Sequence, residues 1–289
     1  MKKIIFTGVM GIALLFAGKA QAQSFYVDVN GGYGLGMNES VIGQEVFYDI
    51  DNPQNSSVKN IYGTLGKGAN ITVTPGYMFN DYLGVEIGLN YFLGSESRVY
   101  YDSEESVTLA SSKSSEITAK SNQFRIIPSL VFNTGGDALY GYAKAGLVLP
   151  VSGKTASQRT DIVSVAGIDN TTTIDTESKG NLSLGFRGSV GLGYKVLDFM
   201  DINLEVFYTG LHIKSKTQTI TSYTAPDGSN PLSGAPTYSV ETEFVDELNS
   251  SSNNDGFNPN VDLNKPKEDL ASKTNFSQFG VQIGLKFRF

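Results

Sequence analysis

The chain has no cysteine, no tryptophan and one histidine, His212, and beyond its first two dozen residues it has no long apolar run. Without cysteine there is no disulfide framework and no thiol to carry a lipid anchor. A lone imidazole leaves little material for histidine-based catalysis. No later stretch reaches the ~18 consecutive apolar residues that a spanning helix requires, and mean hydropathy is only −0.13. Basic residues are outnumbered, 22 against 29 acidic ones, for a formal charge of −7. An acidic chain rich in Ser and Asn argues against nucleic acid as a partner.

The start is a different matter. Met1-Lys2-Lys3 is a short basic region, Ile4 to Ala17 is apolar, and Ala20-Gln21-Ala22 is a small-x-small cleavage site. This is the pattern of a secretory signal peptide over 1–22, with 23–289 as the mature domain. The signal holds three lysines and no acid, so the mature chain carries −10.

What the mature chain does have is alternation. Its last eleven residues put Phe279, Val281, Ile283, Leu285, Phe287 and Phe289 on one face, and Gly280, Gln282, Gly284, Lys286 and Arg288 on the other. A strand has a side-chain period of two, and roughly 9–11 residues suffice for a tilted strand to cross a bilayer. Seven earlier segments repeat the pattern, within 25–37, 70–79, 83–91, 123–132, 139–149, 182–195 and 202–209. Three of their links are tight turns, at Asn80–Tyr82, Gly135-Gly136 and Leu197–Met200. The other four, 38–69, 94–121, 152–180 and 213–275, are long and rich in Ser, Thr, Asn and Asp.

Short turns alternating with long loops, and a final strand ending on an aromatic, resemble bacterial outer-membrane β-barrels. The strand plan is similar to that of the small OmpA-transmembrane-domain, OmpX and OmpW barrels, as a pattern rather than as residue identities. The resemblance implies an all-β fold, an eight-stranded antiparallel up-and-down barrel in the outer membrane of a Gram-negative bacterium. It also implies short periplasmic turns and four extracellular loops, with lipid and lipopolysaccharide around the barrel. The barrel-assembly machinery would read the closing strand through Phe287 and Phe289. The periplasmic peptidoglycan-binding domain of full-length OmpA-type proteins is not expected here.

A soluble barrel with its apolar face inward would show the same alternation. Three features favour lipid outside. The polar faces carry many glycines, which suit a narrow interior. Aromatics mark both ends of the apolar face, with Phe25, Phe79, Phe132, Tyr194 and Phe287 at one end and Tyr91, Phe124, Tyr208 and Phe279 at the other. No charge interrupts that face, where Arg or Lys would cost ~2–4 kcal/mol.

Six charges then point inward, Asp28, Glu86, Arg125, Lys144, Arg187 and Glu205, and are expected to form one network. Turn lengths set the register: Glu86 opposite Gly76, Glu205 opposite Gly191 or Gly193, Arg125 opposite Gly146 and Lys144 opposite Ile127. Pro75 and Pro128 fall mid-strand and predict bulges or bends, since proline has no N–H to pair. His212 and Ser215 are three apart and would face opposite ways, whereas outer-membrane deacylases of the PagL type place His and Ser two apart. No cofactor, metal or catalytic residue is expected, and the acidic fourth loop lacks a calcium-loop spacing. The expected role is structural, or interaction with an extracellular partner through the loops. A small passive channel is the alternative, and a lipid-modifying enzyme comes third.

Overall fold

The computed structural model describes residues 25–37, 40–136 and 138–289. The expected signal peptide lies outside them. Sixteen strands are present among the described residues. Eight belong to the alternating segments: β1 (Phe25–Gly36), β4 (Gly68–Met78), β5 (Leu83–Gly94), β7 (Ser111–Asn133), β8 (Leu139–Val165), β10 (Gly185–Leu197), β11 (Met200–Gly210) and β16 (Gln278–Arg288). Each pairs antiparallel with its neighbours in that order, and β16 pairs with β1 from Tyr26↔Arg288 to Gly36↔Gln278. The eight therefore close a ring without an edge.

The long links, expected as loops, are largely strands: β2 (Ser40–Asp49), β3 (Ser57–Gly63), β6 (Ser97–Ser106), β9 (Ile168–Gly180), β12 (His212–Thr224), β13 (Glu241–Val245), β14 (Lys267–Leu270) and β15 (Lys273–Asn275). With the upper halves of β7 and β8 most of them form an open sheet rising from one end of the ring, in the order β3-β2-β6-β7-β8-β9-β12-β13-β14. None joins the ring, so the fourth loop adds no strand to it.

Facing follows the alternation. Val190, Leu192, Leu204 and Ile283 are exposed on the ring's outer surface, while Asp28, Asn90, Asn203 and Glu205 are buried inside. The apolar core is a small cluster of Leu65, Ala119, Ile127, Val148, Leu211 and Phe276, drawn from strand interiors and from the links above the ring.

Two register expectations need correction. Strand β7 pairs with β8 through Ser129↔Gly146 and Arg125↔Pro150, so Arg125 is not opposite Gly146, nor Lys144 opposite Ile127. The turn is longer than two residues. Thr134 N donates to Gly141 O at 2.9 Å, and Gly135 and Gly136 turn the chain with φ of 72° and 138°, angles that glycine takes at no steric cost. The slip is an even number of residues, which leaves every facing unchanged.

Neither proline sits in a bulge. The β4–β5 ladder runs Val73↔Leu89, then Gly76↔Glu86, in one register, with Thr74 and Pro75 left out. The β7–β8 ladder likewise omits Ile127 and Pro128. Each proline thus costs its strand a rung toward one neighbour and keeps the other, Val27↔Pro75 and Ile87↔Pro128. The irregularity on β7–β8 falls instead between Phe124 and Arg125, opposite Val151.

Candidate functional site

The lumen is filled in layers of side chains. Nearest the tight turns, Asp201 accepts hydrogen bonds from Tyr140 Oη at 2.6 Å and Arg288 Nη2 at 2.6 Å. Beside it the Lys286 ammonium lies over the rings of Tyr26, Tyr142 and Tyr140, 4.8, 5.1 and 5.3 Å from their centroids. Such cation–π contacts suit a cation held away from water.

The next layer centres on Lys144. Its Nζ stands 3.2 Å from Glu86, 3.2 Å from Glu205 and 3.6 Å from Asp28. Each carboxylate has further donors: Tyr26 Oη to Glu86 at 2.9 Å, Asn203 Nδ2 to Asp28 at 2.7 Å, and Gln282 Nε2 to Glu205 at 2.9 Å. Arg187 stands 3.7 Å from Glu205, donates to Gln282 Oε1 at 2.8 Å, and lies over the Phe207 ring. Lys286 is the direct cross-strand partner of Asp28. Three carboxylates and three cations therefore balance. Isolated buried ions would be costly, and this balance of charge makes their burial tolerable although Asp28 Oδ2, Glu205 Oε2 and Arg187 Nη1 make no hydrogen bond. The space left over, bounded by Glu86, Lys144, Arg187 and Glu205, is a cavity of about 20 Å³, room for one water.

Five of the six expected charges thus converge, and Arg125 does not. It is buried farther toward the open sheet, its guanidinium 4.2 Å from the centroid of the Phe92 ring, with Nε donating to Gln123 Oε1 at 2.9 Å. With its amide oxygen facing the guanidinium, Gln278 accepts from Arg125 Nη1 at 2.9 Å. No carboxylate pairs with it among the described residues. Sequence reading missed Tyr26, Tyr140, Tyr142, Asp201, Gln282 and Lys286 as parts of the network. Inward parity was the available signal for all of them, Asp201 included, which shares its face with Asn203 and Glu205 but sits beside a turn.

Glycines on the inner wall make the filling possible. Gly76, Gly191 and Gly193 are directly opposite Tyr26, Tyr142 and Tyr140, and each tyrosine ring covers the glycine across from it. Glu86 does pair with Gly76 and Glu205 with Gly191, as the turns implied. The room over those glycines nevertheless goes to the rings.

Above the ring, the acidic fourth loop is built around Asn253. Its Nδ2 donates to the carbonyl of Asp262 at 3.0 Å and of Pro266 at 2.8 Å, and its Oδ1 accepts from Asp262 N at 2.7 Å. The backbone N–H of Asn264 bonds the Asp262 carboxylate and holds it below the usual range. His212 is opposite Asn275, and Ser215 Oγ accepts from Ser272 N at 3.0 Å.

Comparison with known proteins adds the following. The model of the outer membrane protein beta-barrel domain family matches residues 8–231. Among solved structures, the chain is similar to Neisserial surface protein A at 12% identity, covering 93% of this chain and 100% of that one with a TM-score of 0.37. It is similar to the outer membrane protein OprG from Pseudomonas aeruginosa at 14% identity, with coverage of 93% and 97% and a TM-score of 0.43. For Ail, the attachment invasion locus protein of Yersinia pestis, the values are 10%, 93%, 100% and 0.33. A search of curated proteins gives no match.

Proposed function

The chain belongs to the outer membrane protein beta-barrel domain family, and on that premise we propose that it is an eight-stranded transmembrane scaffold, closed by its own side chains, that presents its outer sheet to an extracellular partner. It works without catalysis. Residues 1–22 serve as a cleaved export signal, and lipid and lipopolysaccharide surround the ring.

The observation that carries this reading is Lys144 held among Glu86, Glu205 and Asp28, with space beside it for little more than one water. Eight strands enclose an interior just wide enough for side chains, and here side chains fill it. The sheet above the ring contains seven strands that the ring does not need, and surface function concentrates in such connections. The refolded protein in a planar bilayer is expected to show no steady conductance, with Glu86→Ala and Arg125→Ala equally silent. Regular unit steps in the wild type, altered by either substitution, would transfer the function to a small passive channel.

Assembly depends on the seam. Phe289 N donates to Phe25 O at 3.0 Å, and the two rings lie 5.9 Å apart, at the foot of the β1–β16 ladder. We assign Phe287 and Phe289 to recognition by the barrel-assembly machinery. Phe289→Ala is expected to lower the amount of heat-modifiable barrel recovered from the outer membrane several-fold. Undiminished recovery would refute this role.

A further inference from the structure

The wall has one opening that the lumen does not explain. Strand β8 pairs with β10 up to Val148↔Gly185 and with β9 from Thr155↔Ser178 onward. Between these ladders, residues 149–154 of β8 have no strand-ladder partner on that flank. The facing segment, 181–184, is drawn away toward β12: Asn181 N donates to Lys214 O at 2.8 Å, and Asn181 Nδ2 to Ser215 O at 3.2 Å. A slot of about 420 Å³ results, reaching from the outer surface to Gln123 and Phe276.

Its lining is divided by chemistry. At the ring's rim Val151 and Leu182 are exposed, and Leu182 continues through Leu184 to Phe186 and Leu147, all exposed on the lipid-facing side. Above them stand Lys154, Lys179 and Lys216. One step beyond the Thr155↔Ser178 pair, Lys154 and Lys179 face each other across the strands. Lys179 pairs in turn with Thr217, beside which Lys216 falls at a register shift. Three lysines thus adjoin one another on three neighbouring strands, an arrangement that like-charge repulsion disfavours. Glu177, 2.6 Å from Lys154 and 4.0 Å from Lys179, offsets part of it. Lys216 has no ion-pair partner among the described residues, and no carboxylate lines the slot.

We propose that this slot binds one phosphate-headed lipid of the outer leaflet, with the phosphate on Lys154, Lys179 and Lys216 and an acyl chain along Val151, Leu182 and Ile213. The inference rests on the membrane reading of the ring, which places the apolar rim at lipid depth and the lysines at headgroup depth. The cavity has the size of small-ligand sites. A bound phosphate would balance the positive charge that Glu177 leaves uncompensated, through charge-assisted hydrogen bonds.

The test is native mass spectrometry of the refolded full chain in dodecyl maltoside, with dioctanoyl phosphatidic acid as probe. One molecule is expected to remain bound to the wild type. Dioctanoylglycerol, which lacks the phosphate, and inorganic phosphate, which lacks the chains, should each bind at least tenfold more weakly. Lys154→Gln/Lys216→Gln is expected to lose about tenfold, and Leu182→Asn a smaller factor. Equal retention of the phosphatidic acid and the glycerol, or undiminished binding by the double variant, would overturn the proposal, as would inorganic phosphate binding equally well. Heat-modifiable migration of each sample reports the barrel separately. A folded barrel without binding therefore counts against the slot alone, and the wild-type comparison stands even where a variant fails to fold.

Discussion

Lys144→Met is expected to lower the stability of the refolded protein by about 3–5 kcal/mol, the range for removing one partner of a buried ion pair. Methionine fills a similar volume, so the loss is electrostatic rather than a cavity. The substitution leaves Asp28, Glu86 and Glu205 facing one another with Arg187 and Lys286 as their remaining cations. The measurement is the urea midpoint of the heat-modifiable form in detergent micelles. Adding Glu86→Gln to Lys144→Met removes one uncompensated charge and should restore part of the loss. A single variant with the wild-type midpoint would show that the three carboxylates do not depend on Lys144.

Gly193→Val should have an effect of similar size by another route. A Cβ at 193 would occupy the position of the Tyr140 ring. Overpacking a tight interior costs about 1–3 kcal/mol. Displacing the ring also breaks the bond from Tyr140 to Asp201, a bond to a charged group worth ~1.5–3 kcal/mol. The heat-modifiable fraction is expected to fall sharply for valine and less for serine. In the double variant Gly193→Val/Tyr140→Ala the steric part should disappear, so the two losses are not additive. Valine at 193 with wild-type assembly would mean that the ring is free to move.

How far the sequence was legible depends on which physical rule each feature obeys. The facing of the eight alternating segments survives any even register error, which is why Lys144 was correctly placed inside although its partner was misassigned. The outer sheet obeys no such rule. Segments such as Ser111–Lys120 and Ile168–Lys179 are polar on both faces although many of their residues are half-buried, so no apolar stripe marks them, and only their Thr and Ile content favours strands. The height of a residue in the lumen depends on strand tilt and stagger, which alternation does not encode. Arg125 was therefore grouped with charges that stand at another level. The tyrosines that cover Gly76, Gly191 and Gly193 were invisible for a related reason, since a glycine's neighbour is known only once the strands are paired.

The β7–β8 hairpin passes from its tight turn into the outer sheet in an antiparallel ladder that holds one register down to Phe124 and shifts once there. Its far end gains one further rung beyond Ser111↔Val165, Ala166 N donating to Ala110 O at 2.9 Å. From Val148 to Val165 that strand runs on for about 56 Å past its last pair with β10, at about 3.3 Å per residue. It therefore forms a stiff arm: a force applied at its tip is delivered as torque to the Arg125 level, where the register shift sits.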